Sequence, residues 1–444
     1  MESPKGKTSD VSKSGDVSTK QRRIAQLAKQ APEMGMNLSH HMDLEWFKEA
    51  YRRTRKEGAV GIDGQNGRDY AVRLEENLCD LINRAKSGQY RAPAVRRKQI
   101  PKAGNPAETR PIGIPTFEDK VLQRAVVMAL EPVFEQDFLG CSYGFRPGRS
   151  AHQALRDLRE GLRTMGGGYV IDLDIRKYFD TIDHHRIQEM FCRRVRDGVI
   201  RRLVGKWLNA GVMEHGLVIH PETGVPQGGV ISPMLSNIYL HEVLDSWFLN
   251  MVQPRLRGKS FMVRFADDAV LAFEHKQDAE RVMAVLPKRF AKYGLELHPE
   301  KTKLLCFKPP TGGYNGTGVS DTFVFLGFTH FWARSRRGYW VIKRKTAKDR
   351  FSRFLKVLSQ WLRKVRHEPI CAQHKTLSAK LRGHFQYYGI TGNSGALSRI
   401  LWQANRSWRK WLGRRSSKAH RTWEWFNQLL QRFPLPKPRV IHQC

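Results

Sequence analysis

Two adjacent carboxylates, Asp267 and Asp268, interrupt an otherwise apolar run between residues 262 and 271. Neighbouring residues on a strand point to opposite faces, and an unpaired buried carboxylate is costly. We therefore expect the pair to lie at the tight turn of a β-hairpin. Such a pair is typical either of a plain turn or of a metal site, because hard cations prefer carboxylate oxygens.

A second apolar run, residues 169–175, carries Asp172 and Asp174 on one face of a predicted strand. If this strand lies beside the 262–271 hairpin, three carboxylates can converge on hard cations. Two Mg²⁺ ions about 4 Å apart stabilise the attacking and leaving oxygens of an in-line phosphoryl displacement. The three acids therefore favour nucleotidyl transfer.

The charge of the chain indicates a polyanionic partner. Its 77 Lys and Arg residues against 42 Asp and Glu residues give a formal net charge of +35. Residues 334–444 hold 27 of the basic residues and only 3 of the acidic ones, together with seven of the eleven Trp residues. Basic and aromatic residues interleaved on helices suit phosphate contact and base stacking. The same Trp spacing is also typical of a helical core below a solvated charged face.

The apolar runs fall short of the roughly 18 residues of a membrane span, and the N-terminus lacks a signal-peptide pattern. The six cysteines have no paired spacing and are interpreted as reduced thiols. We expect a soluble cytoplasmic protein, of bacterial type because no organellar presequence is recognisable, with no membrane partner.

Periodicity predicts the elements that position the acids. Residues 1–40 have few apolar anchors and are expected to form a mobile tail, with a possible helix over 20–30. A hairpin is expected at 90–116, and strands at 262–273 and 301–308 should complete a small sheet with 169–175. The predicted helices span residues 42–56, 69–89, 117–136, 149–164, 184–209, 230–250 and 276–293. Helices on one face of a mainly antiparallel sheet make the fold class α+β.

Eight blocks in order resemble the group II intron-encoded reverse transcriptases and maturases, over about residues 45–430. They are GAVGIDG (58–64), IPKAGNPAETRPIGIPTFEDKVLQRAV (100–126), YGFRPGRSAHQAL (143–155), IDLDIRKYFDTIDH (171–184), GVPQGGVISPMLSNIYL (224–240), RFADDAVLAF (264–273), GLELHPEKTKL (294–304) and FLGF (325–328). The family usually has Tyr where this chain has Phe265, a change that leaves both carboxylates in place.

The resemblance implies a right-hand polymerase, with fingers and palm followed by an α-helical thumb that doubles as maturase domain. The expected parts are a flexible basic tail (1–40), fingers and palm (41–330), thumb and maturase domain (331–425) and a short basic C-terminal tail (426–444).

The family's motifs also imply the site. Asp174, Asp267 and Asp268 would be the catalytic ligands of two Mg²⁺ ions, with the backbone carbonyl of Ile175 as a further ligand. Asp174 is preferred to Asp172 because it lies five residues before the aromatic Phe179, as in the family.

Further residues match the family's nucleotide and template motifs. Nucleotide-binding residues would be Lys102, Arg110, Phe179, Gln227 and Lys301. Template or RNA would be bound by Tyr143, Arg146 and Arg149. Phe179 would act as a steric gate against the 2′-hydroxyl of an rNTP, or be a plain core residue. Lys102 and Arg110 are otherwise solvated, and Gln227 otherwise belongs to a turn. The segment 383–389, GHFQYYG, resembles a maturase motif or is helix core.

The implied activity is RNA-directed DNA synthesis from dNTPs on an RNA template with a DNA or RNA primer. A second implied role is binding the parent group II intron RNA to assist splicing and mobility, with target DNA as a partner. No endonuclease is expected, because no paired Cys/His module follows the thumb. Two alternatives stay open: a host-serving, non-mobile reverse transcriptase, and an RNA-binding splicing factor with a vestigial polymerase site.

Overall fold

A computed structural model describes residues 11–102, 105–214, 217–219, 223–225, 227–310, 320–416 and 421–443, with the side chains of 11–16 and 102–108 outside the description. The first part of the chain is mainly helical and contains one hairpin. Its elements are α1 (Val11–Gln30), α2 (Leu44–Arg53), α3 (Gly67–Ala71), α4 (Leu74–Ser87), β1 (Val95–Lys102), β2 (Asn105–Ile114), α5 (Phe117–Asp137) and α6 (Ala151–Thr164). The predicted hairpin is confirmed, and the helix expected at 69–89 is two helices.

The expected mobile tail at 1–40 is wrong for the residues from 11 onward. Helix α1 packs along α5, and its Ile24 and Ala28 are fully buried. These two residues are four apart, so they form a narrow apolar stripe despite the polar composition. Helix α5 is buried on most of its surface and needs a cover. The position of α1 is therefore determined by its packing against α5 rather than by the apolarity of its own sequence.

The middle of the chain forms the sheet expected to hold the acids. Its elements are β3 (Gly168–Leu173), β4 (Ile175–Arg176), α7 (Tyr178–Thr181), α8 (His184–Arg194), α9 (Gly198–Leu208), β5 (Val212–Glu214), β6 (Leu217–Ile219), α10 (Ser232–Leu240), β7 (Ser260–Phe265), β8 (Asp268–Phe273), α11 (Lys276–Ala291), β9 (Glu296–Leu297) and β10 (Lys303–Phe307). Strands β10, β3, β8 and β7 pair in that order, each antiparallel to its neighbour. The mainly antiparallel α+β fold is confirmed.

Both faces of this sheet are covered, whereas one covered face was expected. Val170 belongs to the core cluster that contains Leu155 of α6. Its neighbour Ile171 belongs to the cluster that contains Leu286 of α11. Adjacent strand residues point to opposite faces, so β3 is buried between two helical layers. A carboxylate can reach solvent from β3 only near the end of the strand.

Two predicted helices have different bounds in the structure. The segment 184–209 is two helices, because Asp197 accepts hydrogen bonds from the backbone N–H groups of Val199 and Ile200 and so begins α9. Helix α10 continues into two π-helical segments, His241–Asp245 and Phe248–Val252. Both differences follow from capping and packing contacts that apolar periodicity does not report.

The C-terminal part begins with a second sheet and ends in helices. Its elements are β11 (Phe323–Phe325), β12 (Phe328–Arg334), β13 (Trp340–Thr346), α12 (Lys348–Lys364), α13 (Ile370–Tyr388), α14 (Ser394–Leu412) and α15 (Trp423–Arg432). The predicted boundary at 330/331 is wrong, because it cuts β12 in the middle of a three-stranded antiparallel sheet. No helix in the described part of the chain is long and apolar enough to cross a membrane.

The expected C-terminal tail at 426–444 is also wrong within the described residues. Residues up to Arg432 are helical, with Phe426 buried. Beyond them, the backbone N–H of Ile441 donates to the carbonyl of Gly389 at 2.7 Å. The His442 ring stacks on His152 of α6 with 3.6 Å between ring centroids. These contacts fasten the end of the described chain to the end of α13 and to α6.

Candidate active site

The paired carboxylates lie at the turn between β7 and β8, as predicted. Phe265 pairs with Asp268, which leaves Ala266 and Asp267 as the two turn residues. Ala266 has φ of 57°, in the left-handed region. A non-glycine residue there costs about 1–2 kcal/mol, so contacts from the rest of the protein must hold this turn.

Arg264, which the sequence reasoning missed, supplies those contacts. Its side chain is fully buried and forms a two-point ion pair with the equally buried Asp245, at 2.7 and 2.5 Å. It also donates to the carbonyl of Ala266 at 2.8 Å and to the Ser142 hydroxyl at 2.8 Å. A charged residue inside the apolar run of β7 was the available signal. Its partner, 19 residues earlier in the chain, was not identifiable.

Asp174 follows β3 directly and is fixed through its backbone. Its carbonyl accepts hydrogen bonds from the backbone N–H of His298, at 2.8 Å, and from the Thr302 hydroxyl, at 3.2 Å. Ile175, whose carbonyl was expected to be a ligand, begins β4 opposite Leu297 and is buried. The segment around β9 therefore positions Asp174, and Thr302 is a second positioning residue that the sequence reasoning missed.

The acidic side chains influence one another electrostatically. Loss of hydration, followed by the charges of Asp267 and Asp174, raises the pKa of Asp268 to about 6. Loss of hydration, followed by the charges of Asp268 and Asp174, raises the pKa of Asp172 to about 7. The pKa of Asp267 is also raised, first by burial. Crowding of carboxylates disfavours their charged forms, so this site gains stability when a cation binds.

The carboxylate oxygens of these acids suit a hard cation, but the side chains are not close together. Within the described residues, no three His, Cys, Asp or Glu side chains are grouped closely enough to hold a metal ion. Mg²⁺ in phosphate-transferring sites is usually held by one or two carboxylates, with substrate phosphates and water completing its shell. Carboxylates on β8 and at the end of β3 fit that chemistry. The Nζ of Lys301 lies 3.7 Å from a carboxylate oxygen of Asp174 and is the nearest paired cation there.

A cavity of about 320 Å³ contains two residues predicted to bind the nucleotide, Phe179 and Gln227. The backbone N–H of Gly113 on β2 donates to the carbonyl of Gln227 at 2.6 Å. The backbone N–H of Val225 donates to the carbonyl of Phe179 at 2.7 Å. Phe179 is half-buried; its ring packs against Tyr178 at 5.2 Å between ring centroids, and the residue lines the cavity. The hairpin β1–β2 and the turn at Gln227 together shape a pocket of nucleotide size.

Two contacts hold the turn that contains Gln227. Gly228 has φ of 110°, and a Cβ added there would lie 2.4 Å from the carbonyl oxygen of Gly113. The backbone N–H of Ile231 donates to the buried side chain of Gln123 at 3.2 Å. The pocket also contains two cations that the sequence reasoning missed, Arg97 and Lys177.

The two predicted triphosphate residues occupy the hairpin. Arg110 lies on β2, and its charge acts on Asp267 and Asp268, partly offsetting the burial that raises their pKa values. The Lys102 backbone pairs with Asn105, but its side chain lies outside the described residues. The hairpin therefore brings at least Arg110 toward the acids.

Two of the three predicted template residues need correction. Tyr143 is buried and its hydroxyl donates to Asp157 at 2.6 Å. Arg146 is buried and uses its guanidinium on Glu135 and on backbone carbonyls. Because these two side chains are buried and paired, they are not available to a template. Arg149 is exposed, so its predicted role in template binding stays a prediction.

Phe145, between Tyr143 and Arg146, is a further residue of this motif that the sequence did not single out. It has φ of 58° and is 60 % exposed. The preceding Gly144 lies against the Ala266–Asp267 turn, since a Cβ added there would lie 2.3 Å from the backbone nitrogen of Ala266. An exposed aromatic ring is thus held in a strained backbone beside the acids.

The segment 383–389 proves to be mostly helix. His384 and Phe385 are buried in α13, as the core interpretation predicted. The Tyr387 hydroxyl donates to the carbonyl of Leu326 in the β11–β12 turn at 2.9 Å. This motif therefore joins the C-terminal helices to the second sheet.

Comparisons with known proteins agree with this geometry. Residues 100–330 match the family model described as reverse transcriptase (RNA-dependent DNA polymerase). Protein YkfC of Escherichia coli (strain K12) is 35% identical over 390 residues, which cover 79% of this chain and 97% of YkfC. Group II intron-encoded protein LtrA of Lactococcus lactis subsp. cremoris is 40% identical over 178 residues, 40% of this chain and 29% of LtrA. An uncharacterized 91 kDa protein in the cob intron of Schizosaccharomyces pombe is 25% identical over 381 residues, 72% of this chain and 46% of that protein.

Proposed function

The chain belongs to the reverse transcriptase family, an RNA-dependent DNA polymerase family, and we propose that it extends a DNA or RNA primer along an RNA template at the β3–β8 acids. The observation that carries this proposal is the pairing of β3 with β8, which brings Asp174, at the end of β3, beside the turn that holds Asp267 and Asp268. A family member binds template, primer and dNTPs, so these are its substrates.

Asp174, Asp267 and Asp268 would hold two Mg²⁺ ions, with the carbonyl of Ile175 as a further ligand. When bound, such ions supply the charge that stabilises the attacking and leaving oxygens of the displacement. The protein's share of the work is positioning. Arg264 holds the Asp267–Asp268 turn in its strained backbone, and Thr302 holds Asp174.

Phe179 and Gln227 would define the nucleotide. Phe179 lines the cavity and would act as a steric gate against a 2′-hydroxyl, which would favour dNTPs. Gln227, pressed against β2, would lie along the nascent base pair. Lys102 and Arg110 would hold the triphosphate through their positive charges. Lys301 would lie near the nucleotide or the primer end.

The second part of the proposal is that the chain binds a group II intron RNA and assists its splicing and mobility, with target DNA as a further partner. The similarity to LtrA, described as group II intron-encoded, and to a protein in the cob intron supports this. Residues 334–444 supply a strongly basic surface for such an RNA. The protein would stabilise one folded form of the RNA through differential affinity.

Primer extension on an RNA template with dNTPs and Mg²⁺ tests the polymerase proposal. Asp267→Asn/Asp268→Asn should abolish extension. The matched control is Glu76→Gln/Asp80→Asn on α4, which removes two exposed carboxylates and makes the same change in net charge; it should extend normally. Absence of extension by a folded, RNA-binding wild type would refute the polymerase proposal and favour a splicing factor with a vestigial site.

A further inference from the structure

Asp119 on α5 is a buried carboxylate two hydrogen bonds away from the start of α10. Its exposed fraction is 2 %. One carboxylate oxygen accepts hydrogen bonds from the Tyr90 hydroxyl and from the Trp207 indole N–H, both at 2.7 Å. The other oxygen accepts from the side-chain amide of Gln123, one helical turn later on α5, at 2.9 Å. Donors from three separate segments of the chain therefore converge on this carboxylate.

The neighbours of Gln123 fix the direction in which its amide points. Burial raises the pKa of Asp119 to about 6, and hydrogen bonds from its three donors oppose the rise, so the carboxyl is ionised at pH 8. An ionised carboxylate only accepts hydrogen bonds, and a backbone N–H only donates them. The amide nitrogen of Gln123 must therefore face Asp119. Its amide oxygen then faces the backbone N–H of Ile231, which donates to it at 3.2 Å.

The turn that contains Gln227 leads into α10 and has little space in which to move. On the β2 side, the backbone N–H of Gly113 donates to the Gln227 carbonyl, and Gly228 lies against Gly113. On the α5 side, the cavity lined by Gln123 and Gly229 has a volume of only about 10 Å³, about the space that one water needs. The turn is therefore held between β2 and the Gln123 amide.

We propose that Asp119 and Gln123 are positioning residues for the incoming nucleotide. The Asp119 carboxylate orients the Gln123 amide, and the amide holds the backbone N–H of Ile231 and so fixes the position of the Gln227 turn. This inference rests on the proposed function, which assigns Gln227 to the nascent base pair. Neither residue lines the nucleotide cavity, so both act through the turn. A pocket prepared before the nucleotide binds lowers the KM for dNTPs and leaves kcat unchanged.

The test variant is Gln123→Met, which keeps the length of the side chain and removes the amide that joins Asp119 to Ile231. Single-nucleotide extension at pH 8, with saturating primer and template, should show a KM for the dNTP about 5–30 times higher, because a buried N–H loses its acceptor. The kcat should stay within about twofold of wild type. Hydrogen–deuterium exchange of the peptide 227–235, measured without substrates, should be faster than in wild type.

The matched control is Gln373→Met on α13. Gln373 is also buried in a helix, and its amide donates to the carbonyl of Val365 and accepts from the indole N–H of Trp408. Its replacement disturbs a buried amide of the same kind without touching the Gln227 turn. Neither the KM for the dNTP nor the exchange of the peptide 227–235 should change in this variant.

Asp119→Asn tests the role of the charge with almost no change in volume. Its amide can donate to Gln123, which allows the Gln123 amide to reverse and to present N–H groups to the N–H of Ile231. The KM and the exchange of the peptide 227–235 should therefore increase as in Gln123→Met. If Gln123→Met melts early, Asp119→Asn takes its place in the test.

Two results would overturn the inference while the wild type extends primers. One is a wild-type KM in Gln123→Met and Asp119→Asn, whether or not the exchange of the turn becomes faster. The other is an equal increase of KM and of exchange in Gln373→Met. Absence of extension by the wild type would instead refute the proposed function itself. The exchange of the peptide 227–235 would then still show whether Gln123 holds the turn, because that measurement needs no activity.

Discussion

The buried pair Arg264–Asp245 should stabilise the fold and, separately, hold the turn that contains Asp267. Arg264→Met keeps much of the side-chain volume but leaves the carboxylate of Asp245 fully buried and unpaired. Breaking a buried pair from one side costs about 3–5 kcal/mol. For a domain of this size, each kcal/mol lowers the melting temperature by roughly 2–4 °C. We expect a decrease of about 6–20 °C.

The double variant Arg264→Met/Asp245→Leu separates the two roles. Replacing both charges with apolar groups is often neutral or stabilising, so most of the melting temperature should return. The carbonyl of Ala266 still lacks its donor, however. The turn then pays about 1–2 kcal/mol for its left-handed residue without compensation. That amount lowers the population of the competent turn by a factor of about 5–30.

Thermal melting combined with single-turnover incorporation of one dNTP measures both effects. The double variant should melt like wild type and incorporate about 5–30 times more slowly. Wild-type incorporation by a stable double variant would show that Arg264 only neutralises Asp245. A normal melting temperature in Arg264→Met alone would refute the claim that the pair is buried and essential for stability.

Three further predictions concern the acids and the pocket. Phe179→Ala should raise rNTP incorporation relative to dNTP incorporation at least several-fold, and an unchanged ratio would identify Phe179 as a core residue. The raised pKa of Asp268, about 6, lies above its unfolded value, so the stability it contributes is present at low pH and is lost as pH rises through 6. In EDTA, Asp268→Asn should therefore match wild type in melting temperature near pH 4 and exceed it at pH 7. Equal melting temperatures of the two proteins at both pH values would contradict the raised pKa of Asp268. Gly228→Ala should raise the KM for dNTPs, because its Cβ would collide with Gly113. Gly338→Ala, also at positive φ but in open space, is the control, and an equal effect there would exclude the collision.

The positions of motif residues were predictable where they depend on residues nearby in the sequence. Asp267 and Asp268 lie at a turn because two apolar runs flank them, and Asp174 ends a strand for the same reason. The hairpin at β1–β2 followed likewise from alternating residues and a short turn. These features depend on contacts between near neighbours, which the order of residue types reports directly.

Whether a cation is available to a ligand depends on contacts that the order of residue types does not report. Arg146 and Arg149 are three residues apart in one motif, yet Arg146 is used up by Glu135 and backbone carbonyls while Arg149 is exposed. The two ends of the described chain also depend on contacts with distant segments. Helix α1 packs on α5, and the His442 ring stacks on His152.

The sequence by itself determined the family, the acids of the candidate site and the antiparallel strands that position them, because each follows from residue types a few positions apart. Only the tertiary structure decided which residues support those acids and which cations remain free. Arg264 forms an ion pair with Asp245, the Thr302 hydroxyl donates to the carbonyl of Asp174, and Arg409 stacks over the Trp423 ring. Burial and pairing belong to surfaces assembled from distant parts of the chain, and a linear pattern does not contain them.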